Sequence, residues 1–300
     1  MVRILGYALL CGTRSEWFCS RLSKELGVEL IPLESKKFPD GESYVRIAGD
    51  VEGKDVVLAH SLSFPQNDSI WELLITMEAL VDSGVNIVAL YLPYLAYSRQ
   101  DRAFLPGEPI SVKALLQILS FMGAKALVTI DIHKEYSLKY FRGIAYNLIP
   151  VDPMVEKISE RVSDPLIVAP DIGAFQRASA IAEKIGTDFI QLSKKRDLKT
   201  GEVAISSEGF DVSGRNVVIV DDIISTGGTV AKAASMLRDA GAKEVYVAVS
   251  HALMAGDAQK KLKEAGVASV FAANTLPPLS GVEYYDVTGI AAEKIREILG

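Results

Sequence analysis

Cysteine is nearly absent from this 300-residue chain: Cys11 and Cys19 are the only two. Their spacing is not that of a metal site. Two such thiols read as reduced and structural, which fits a cytoplasmic protein, with a disulfide as the lesser alternative. Long apolar runs are missing too. No stretch approaches the ~18 unbroken apolar residues of a membrane span, so no membrane partner is expected. The apolar patch in MVRILGYALLCGTRSEWF reads as a strand, because a basic start and a small-residue cleavage site are lacking. Basic charge is also scarce. Lys and Arg number 32 against 38 Asp and Glu, for a net charge of −6. That balance argues against a nucleic-acid-binding face. An anionic substrate must then be held by local cations, backbone amides or a metal.

What is present is ordinary globular material, with 49% hydrophobic and 23% charged residues. The length favours two domains, and the pattern divides into 1–150 and 151–300. Strands are expected near 3–10, 28–33, 55–60, 86–92 and 126–131, with helices near 15–26, 67–83 and 109–122. The rhythm restarts with strands near 165–169, 188–192, 216–221, 244–250 and 268–271, and helices near 174–186, 228–240 and 255–265. This alternation predicts an α/β protein with mostly parallel sheets flanked by helices. The halves echo each other. SRLSKELGVELIPLESKK (20–37) aligns without gaps with SAIAEKIGTDFIQLSKKR (179–196), and KDVVLAHSLSFPQND (54–68) with RNVVIVDDIISTGGT (215–229). In the second pair His60 and Ser61 face Asp221 and Asp222.

The segment VVIVDDIISTGGTV (217–230) carries the most chemistry. A buried strand ends in two carboxylates, and the turn Ser225-Thr226-Gly227-Gly228-Thr229 leads into a helix whose residues Val230, Ala233, Leu237 and Ala240 share a side. Backbone N–H groups of such a turn, with a helix N-terminus, cradle a phosphate. No Lys follows the glycines, so the P-loop pattern is excluded. Asp221 and Asp222 suit ribose hydroxyls or Mg²⁺.

Four other segments stand out. Phe38-Pro39-Asp40-Gly41-Glu42 is a turn before a strand, a plain hairpin when taken alone. Arg99, Gln100, Asp101 and Arg102 form a polar cluster that reads alone as a solvated loop. Asp131 and His133 follow a buried strand, where a lone His is usually structural. Lys194, Lys195 and Arg196 leave a strand as three consecutive cations. In an extended chain Lys194 and Arg196 project alike.

VVIVDDIISTGGT resembles the 5-phosphoribosyl 1-diphosphate loop of type I phosphoribosyltransferases and ribose-phosphate diphosphokinases. The FPDGE, RQ and Lys-x-Arg segments, in that family's order, resemble the diphosphokinases. The resemblance implies two similar phosphoribosyltransferase-type domains and transfer of a diphosphoryl group from ATP to ribose 5-phosphate. It further implies ATP binding by Phe38, Asp40, Gly41, Glu42, Arg99 and Gln100, and Mg²⁺ binding by His133 and by Asp171 in Pro170-Asp171-Ile172-Gly173. Ribose 5-phosphate would be held by Arg196, Asp221, Asp222 and the turn Ser225, Thr226, Gly227, Gly228 and Thr229. Lys194 and Arg196 would be catalytic, on a mobile loop. The family also assembles as homodimers or higher oligomers. One departure is Ala174, where the family usually has a second Gly, at a position expected to need φ > 0. Two alternatives remain: a phosphoribosyltransferase that consumes the activated sugar, and a non-catalytic regulatory relative.

Overall fold

In a computed structural model of the chain, the described residues are 6–13, 15–196, 203–206 and 211–300. The first part of the chain runs β1 (Tyr7–Cys11), α1 (Glu16–Leu26), β2 (Glu29–Ile31), β3 (Leu33–Lys37), β4 (Ser43–Ile47) and β5 (Asp55–Ala59). It continues α2 (Gln66–Asp82), β6 (Asn86–Leu92), α3 (Ser111–Phe121), β7 (Ala126–Ile130) and β8 (Ile144–Leu148). The second part starts with α4 (Val151–Arg161), β9 (Pro165–Ala169), α5 (Phe175–Ile185), β10 (Phe189–Gln191), β11 (Ser193–Arg196) and β12 (Val203–Ser206). Then come β13 (Asn216–Ile224), α6 (Gly228–Asp239), β14 (Glu244–Ala252), α7 (Ala258–Glu264), β15 (Val267–Ala273), β16 (Glu283–Tyr285) and α8 (Thr288–Leu299).

These elements form two compact units. One comprises Met1–Leu148, Thr275–Pro277 and Val287–Gly300; the other comprises Ile149–Asn274 and Pro278–Asp286. The division expected at 150 assigned everything beyond it to the second domain. Instead α8 packs on α1, β6 and β7, because its apolar face, with Ala291, Ala292 and Ile295 buried, completes the core there.

Among the described residues each unit has a six-stranded parallel sheet, in the orders β2-β1-β5-β6-β7-β8 and β10-β9-β13-β14-β15-β16. The two orders correspond strand for strand. Each sheet also has an antiparallel ribbon after its second strand, β3–β4 in one and β11–β12 in the other. Helices pack on these sheets: α1, α2 and α8 in the first unit, and α4, α5, α6 and α7 in the second. The central strands are therefore buried on both sides and read as unbroken apolar runs, as Val56–Ala59 and Val217–Val220 do. In the second unit Val217 and Ile219 join Val230, Ala233, Ala234 and Leu237 of α6 in one core. Ala240, expected on the same helix face, caps the helix and is exposed, because α6 stops at Asp239.

Cys11 and Cys19 form a disulfide, contrary to the reduced pair expected. The turn after β1 returns α1 over the strand end and brings the two Cα atoms to 6.3 Å, within reach of a bridge. A loop this short adds about 2–3 kcal/mol in the chain-entropy picture. The bridge also removes the cysteine-based argument for a reducing compartment.

Beside it lies a close contact. A Cβ on Gly12 would fall 1.7 Å from Nδ1 of His60. The imidazole is buried, with Nε2 2.9 Å from the Ser69 hydroxyl, and the Ser61 N–H donates to Ser15 Oγ at 2.9 Å. Gly12→Ala is expected to destabilise the protein by about 1–3 kcal/mol through overpacking. Much of that loss should return in Gly12→Ala/His60→Ala. Denaturant unfolding of the variants checks both, and an additive double variant would remove the contact as the cause.

Candidate active site

Parallel sheets of this kind present ligand sites beyond the C-terminal ends of their strands, where neighbouring strands lead in opposite directions along the sheet. In the second unit that point lies between β9 and β13, which pair directly. Asp171 follows β9, and Asp221 and Asp222 stand near the end of β13. Asp171 accepts the Gly173 N–H on Oδ1 at 2.9 Å, closing a short turn before α5. Ala174 sits in that turn at φ −89°, ψ −8°, fully buried. The positive φ expected at this position is not needed, so the methyl group is accommodated.

The turn after β13 is built mainly by backbone bonds. Ile224 carbonyl accepts the Leu253 N–H at 2.9 Å, and Ser225 carbonyl accepts the Ala255 N–H at 2.9 Å. Gly227 enters α6 at φ 74°, and a Cβ there would meet Ala258 at 3.3 Å. Both the backbone conformation and the space therefore favour glycine. The residue at the N-cap of α6 has no side chain to cap the helix. The first N–H groups of the helix and its positive end are thus offered to an external anion. Ser225 and Gly228 are half-buried beside it, and Thr226 and Thr229 are exposed.

Asp221 and Asp222 interact directly. Burial pushes the Asp221 carboxyl well above its ordinary range, the charge of Asp222 and a hydrogen bond with it add to the rise, and Arg177 opposes them. Asp221 Oδ1 also accepts the Asp222 N–H at 2.9 Å. Lys194 and Arg196 lie on β11, opposite Ile205 and Val203 of β12. The rest of the expected mobile loop, 197–202 and 207–210, falls outside the described residues.

In the first unit Phe38, Asp40, Gly41 and Glu42 form the tip of the β3–β4 ribbon. The Phe38 N–H donates to the Glu42 carbonyl at 2.8 Å, and the Glu42 N–H donates to Asp40 Oδ1 at 3.2 Å. The Phe38 ring is 41% exposed and packs edge-on against Tyr44, with Lys36 Nζ 5.3 Å from its centroid. It is an aromatic surface held ready to stack. Arg99, exposed, and Gln100, half-buried, follow β6; Gln100 Oε1 accepts the Ser111 hydroxyl at 2.8 Å. His133, half-buried, follows β7. These segments all leave the C-terminal side of the sheet. Sequence reading missed the filling of the first unit's own crevice by His60 against Gly12. It also missed the bond from Tyr136 to Asp101.

A sequence profile described as the N-terminal domain of ribose phosphate pyrophosphokinase matches residues 7–123, and a phosphoribosyl transferase domain profile matches 150–279. A ribose-phosphate pyrophosphokinase of Aeropyrum pernix is 41% identical over 293 residues, covering 96% of this chain and 95% of its own. The chain belongs to the ribose-phosphate pyrophosphokinase family. A Methanopyrus kandleri relative of the same name is 40% identical over 282 residues, covering 93% and 95% of the two chains. The crystal structure of phosphoribosylpyrophosphate synthetase from Mycobacterium smegmatis superposes with a TM-score of 0.87 at 28% identity, covering 98% of this chain and 99% of that one. Membership agrees with the two-unit architecture.

The raised Asp221 value has a consequence for stability. Its folded-state value lies above the ordinary 3.8. The group therefore favours the folded state most below that pH, and the contribution is lost as pH rises through the raised value. Asp221→Asn is expected to raise the ligand-free Tm at pH 7.5, by about 2–4 °C per kcal/mol recovered. The gain should shrink below pH 4. Calorimetric scans across pH check this; a Tm gain that persists unchanged at acid pH would contradict it.

Proposed function

We propose that this chain is a ribose-phosphate pyrophosphokinase, forming 5-phosphoribosyl 1-diphosphate and AMP from ATP and ribose 5-phosphate. The observation that carries the reading is the uncapped N-terminus of α6 joined to the Asp221–Asp222 pair at the strand-end crevice of the second unit. Such a site takes a phosphate on a sugar. The helix end and the turn Ser225–Thr229 hold the 5-phosphate, and the two acids accept hydrogen bonds from ribose hydroxyls.

Phe38, Asp40, Gly41, Glu42, Arg99 and Gln100 bind ATP in this reading. The Phe38 ring stacks on the base, and Arg99 provides a fork for phosphate oxygens. His133 and Asp171 would each offer a ligand to Mg²⁺. No cluster of three or more His, Cys, Asp or Glu able to hold a metal occurs among the described residues. That sparse donor set suits Mg²⁺, which keeps waters and takes substrate phosphate oxygens. When bound, the ion would neutralise charge on the phosphate oxygens.

The anomeric hydroxyl attacks the β-phosphorus. An O–P bond forms, the bond to the α-phosphate bridge oxygen breaks, AMP leaves with the electron pair, and the hydroxyl proton is released. Such a transfer needs positioning and charge stabilisation more than a covalent partner. Lys194 and Arg196 supply the positive charge, with Arg196 also reaching the ribose 5-phosphate.

Self-association as a homodimer or higher oligomer belongs to the same reading. Exposed Phe64, Trp71, Phe104 and Leu105 support it. The cytoplasm is its setting, since both substrates are charged phosphates.

The test is ³¹P NMR of the protein with ATP, Mg²⁺ and ribose 5-phosphate. AMP and sugar-diphosphate signals should grow only when all three are present, and an unchanged spectrum would overturn the reading. Release of diphosphate from 5-phosphoribosyl 1-diphosphate and a nucleobase would instead indicate a transferase. Lys194→Ala should lower kcat by about 10²-fold or more, with ribose 5-phosphate affinity little changed. Unchanged turnover would take Lys194 out of the mechanism.

A further inference from the structure

Within the 99–102 segment, Arg99 and Arg102 are exposed while Asp101 is only 6% exposed. A carboxylate taken out of water must be hydrogen-bonded. Its partner is the phenol of Tyr136, which donates to Asp101 Oδ2. Tyr136 belongs to a 3₁₀ turn, Glu135–Tyr140, that begins just after His133 and Lys134. The bond thus joins two loops that leave neighbouring strands, β6 and β7.

Each loop is anchored at its own base. The Gln100 N–H donates to the Tyr97 carbonyl at 3.1 Å, and Tyr97, at φ 63°, donates its hydroxyl to Asn67 at the start of α2. On the other loop the Asp131 N–H donates to the Leu148 carbonyl at 3.0 Å and the Ile132 N–H to Asn147 Oδ1 at 2.9 Å. The Asp101–Tyr136 bond ties these two anchored loops together. Lys139 Nζ lies 5.4 Å from the Tyr136 ring centroid and steadies it. Hydrogen bonding to Asp101 raises the phenol above its ordinary range.

We infer that Asp101 and Tyr136 are positioning residues for the nucleotide, fixing the Arg99–Gln100 segment against the His133 segment. ATP and its metal then meet a preset surface in the first unit. This rests on the function proposed above. Without the phenol hydroxyl a buried carboxylate lacks its donor, and the segment must shift toward water.

Tyr136→Phe removes one oxygen from a half-exposed ring, so the fold should persist. Calorimetry is expected to show Mg·ATP binding about tenfold weaker than in wild type, which is about 1.4 kcal/mol. Ribose 5-phosphate binding should stay within about twofold. Asp101→Asn keeps an acceptor for the phenol and should stay within about threefold for Mg·ATP. The KM for ATP should rise in Tyr136→Phe with the KM for ribose 5-phosphate unmoved. Wild-type Mg·ATP affinity in Tyr136→Phe would overturn the inference. So would equal loss of both ligands together with a lowered Tm, the mark of a purely structural bond. Wild-type protein that binds ribose 5-phosphate but no ATP would sink the functional reading, and this inference with it.

Discussion

The crevice at the strand ends is the constraint on which the rest of this structure depends. A parallel sheet wound in both directions must leave one place where neighbouring strands send their chains opposite ways. Both units have that place, because both have the same strand order. In the second it carries Asp171, the Asp221–Asp222 pair and the N-terminus of α6. In the first, His60 and Ser61 stand where the alignment puts the two acids. The imidazole fills the space left by Gly12, and Ser61 is bonded to Ser15. One architecture thus ends in a pair of acids in one copy and in a packed joint in the other, through side chains at two adjacent positions.

The same constraint bears on how a chain of net charge −6 would address the anions of the proposed reaction. At the N-terminus of α6 oriented backbone N–H groups would supply part of the attraction, and these need no basic surface. Burial and the neighbouring Asp222 charge both disfavour ionisation of Asp221 beside them. In the function proposed above, a sugar offering hydroxyl donors at that point would satisfy the carboxylates while its phosphate took the helix end.

What the sequence disclosed follows from the range of the interactions involved. The runs Val56–Ala59 and Val217–Val220 announce strands because every residue is apolar, and the turn Ser225–Thr229 carries its chemistry in adjacent letters. Elements with mixed signals were missed. Strand β8, IAYNL, is an edge strand without a fully buried residue, and α4 has a Pro within its first turn and only Met154 and Ile158 fully buried. The disulfide, the Gly12–His60 contact and the Asp101–Tyr136 bond were illegible for another reason. Each depends on a return of the chain, and no local pattern marks which residues will meet. The expectation of φ > 0 at Ala174 failed because it came from the glycine usual in the family at that position, whereas the turn there is right-handed.

Helix α8 packs on α1, β6 and β7 of the first unit, as α4 packs on α5 and β15 of the second. The second unit receives its covering helix immediately before its first strand. The first unit receives its own from beyond residue 287. During synthesis the order of completion is therefore reversed from the order of emergence. Strands β1 to β8 leave the ribosome first, yet the face beneath Ala291, Ala292 and Ile295 stays uncovered until the last helix arrives. The half that is made first is the half that finishes last.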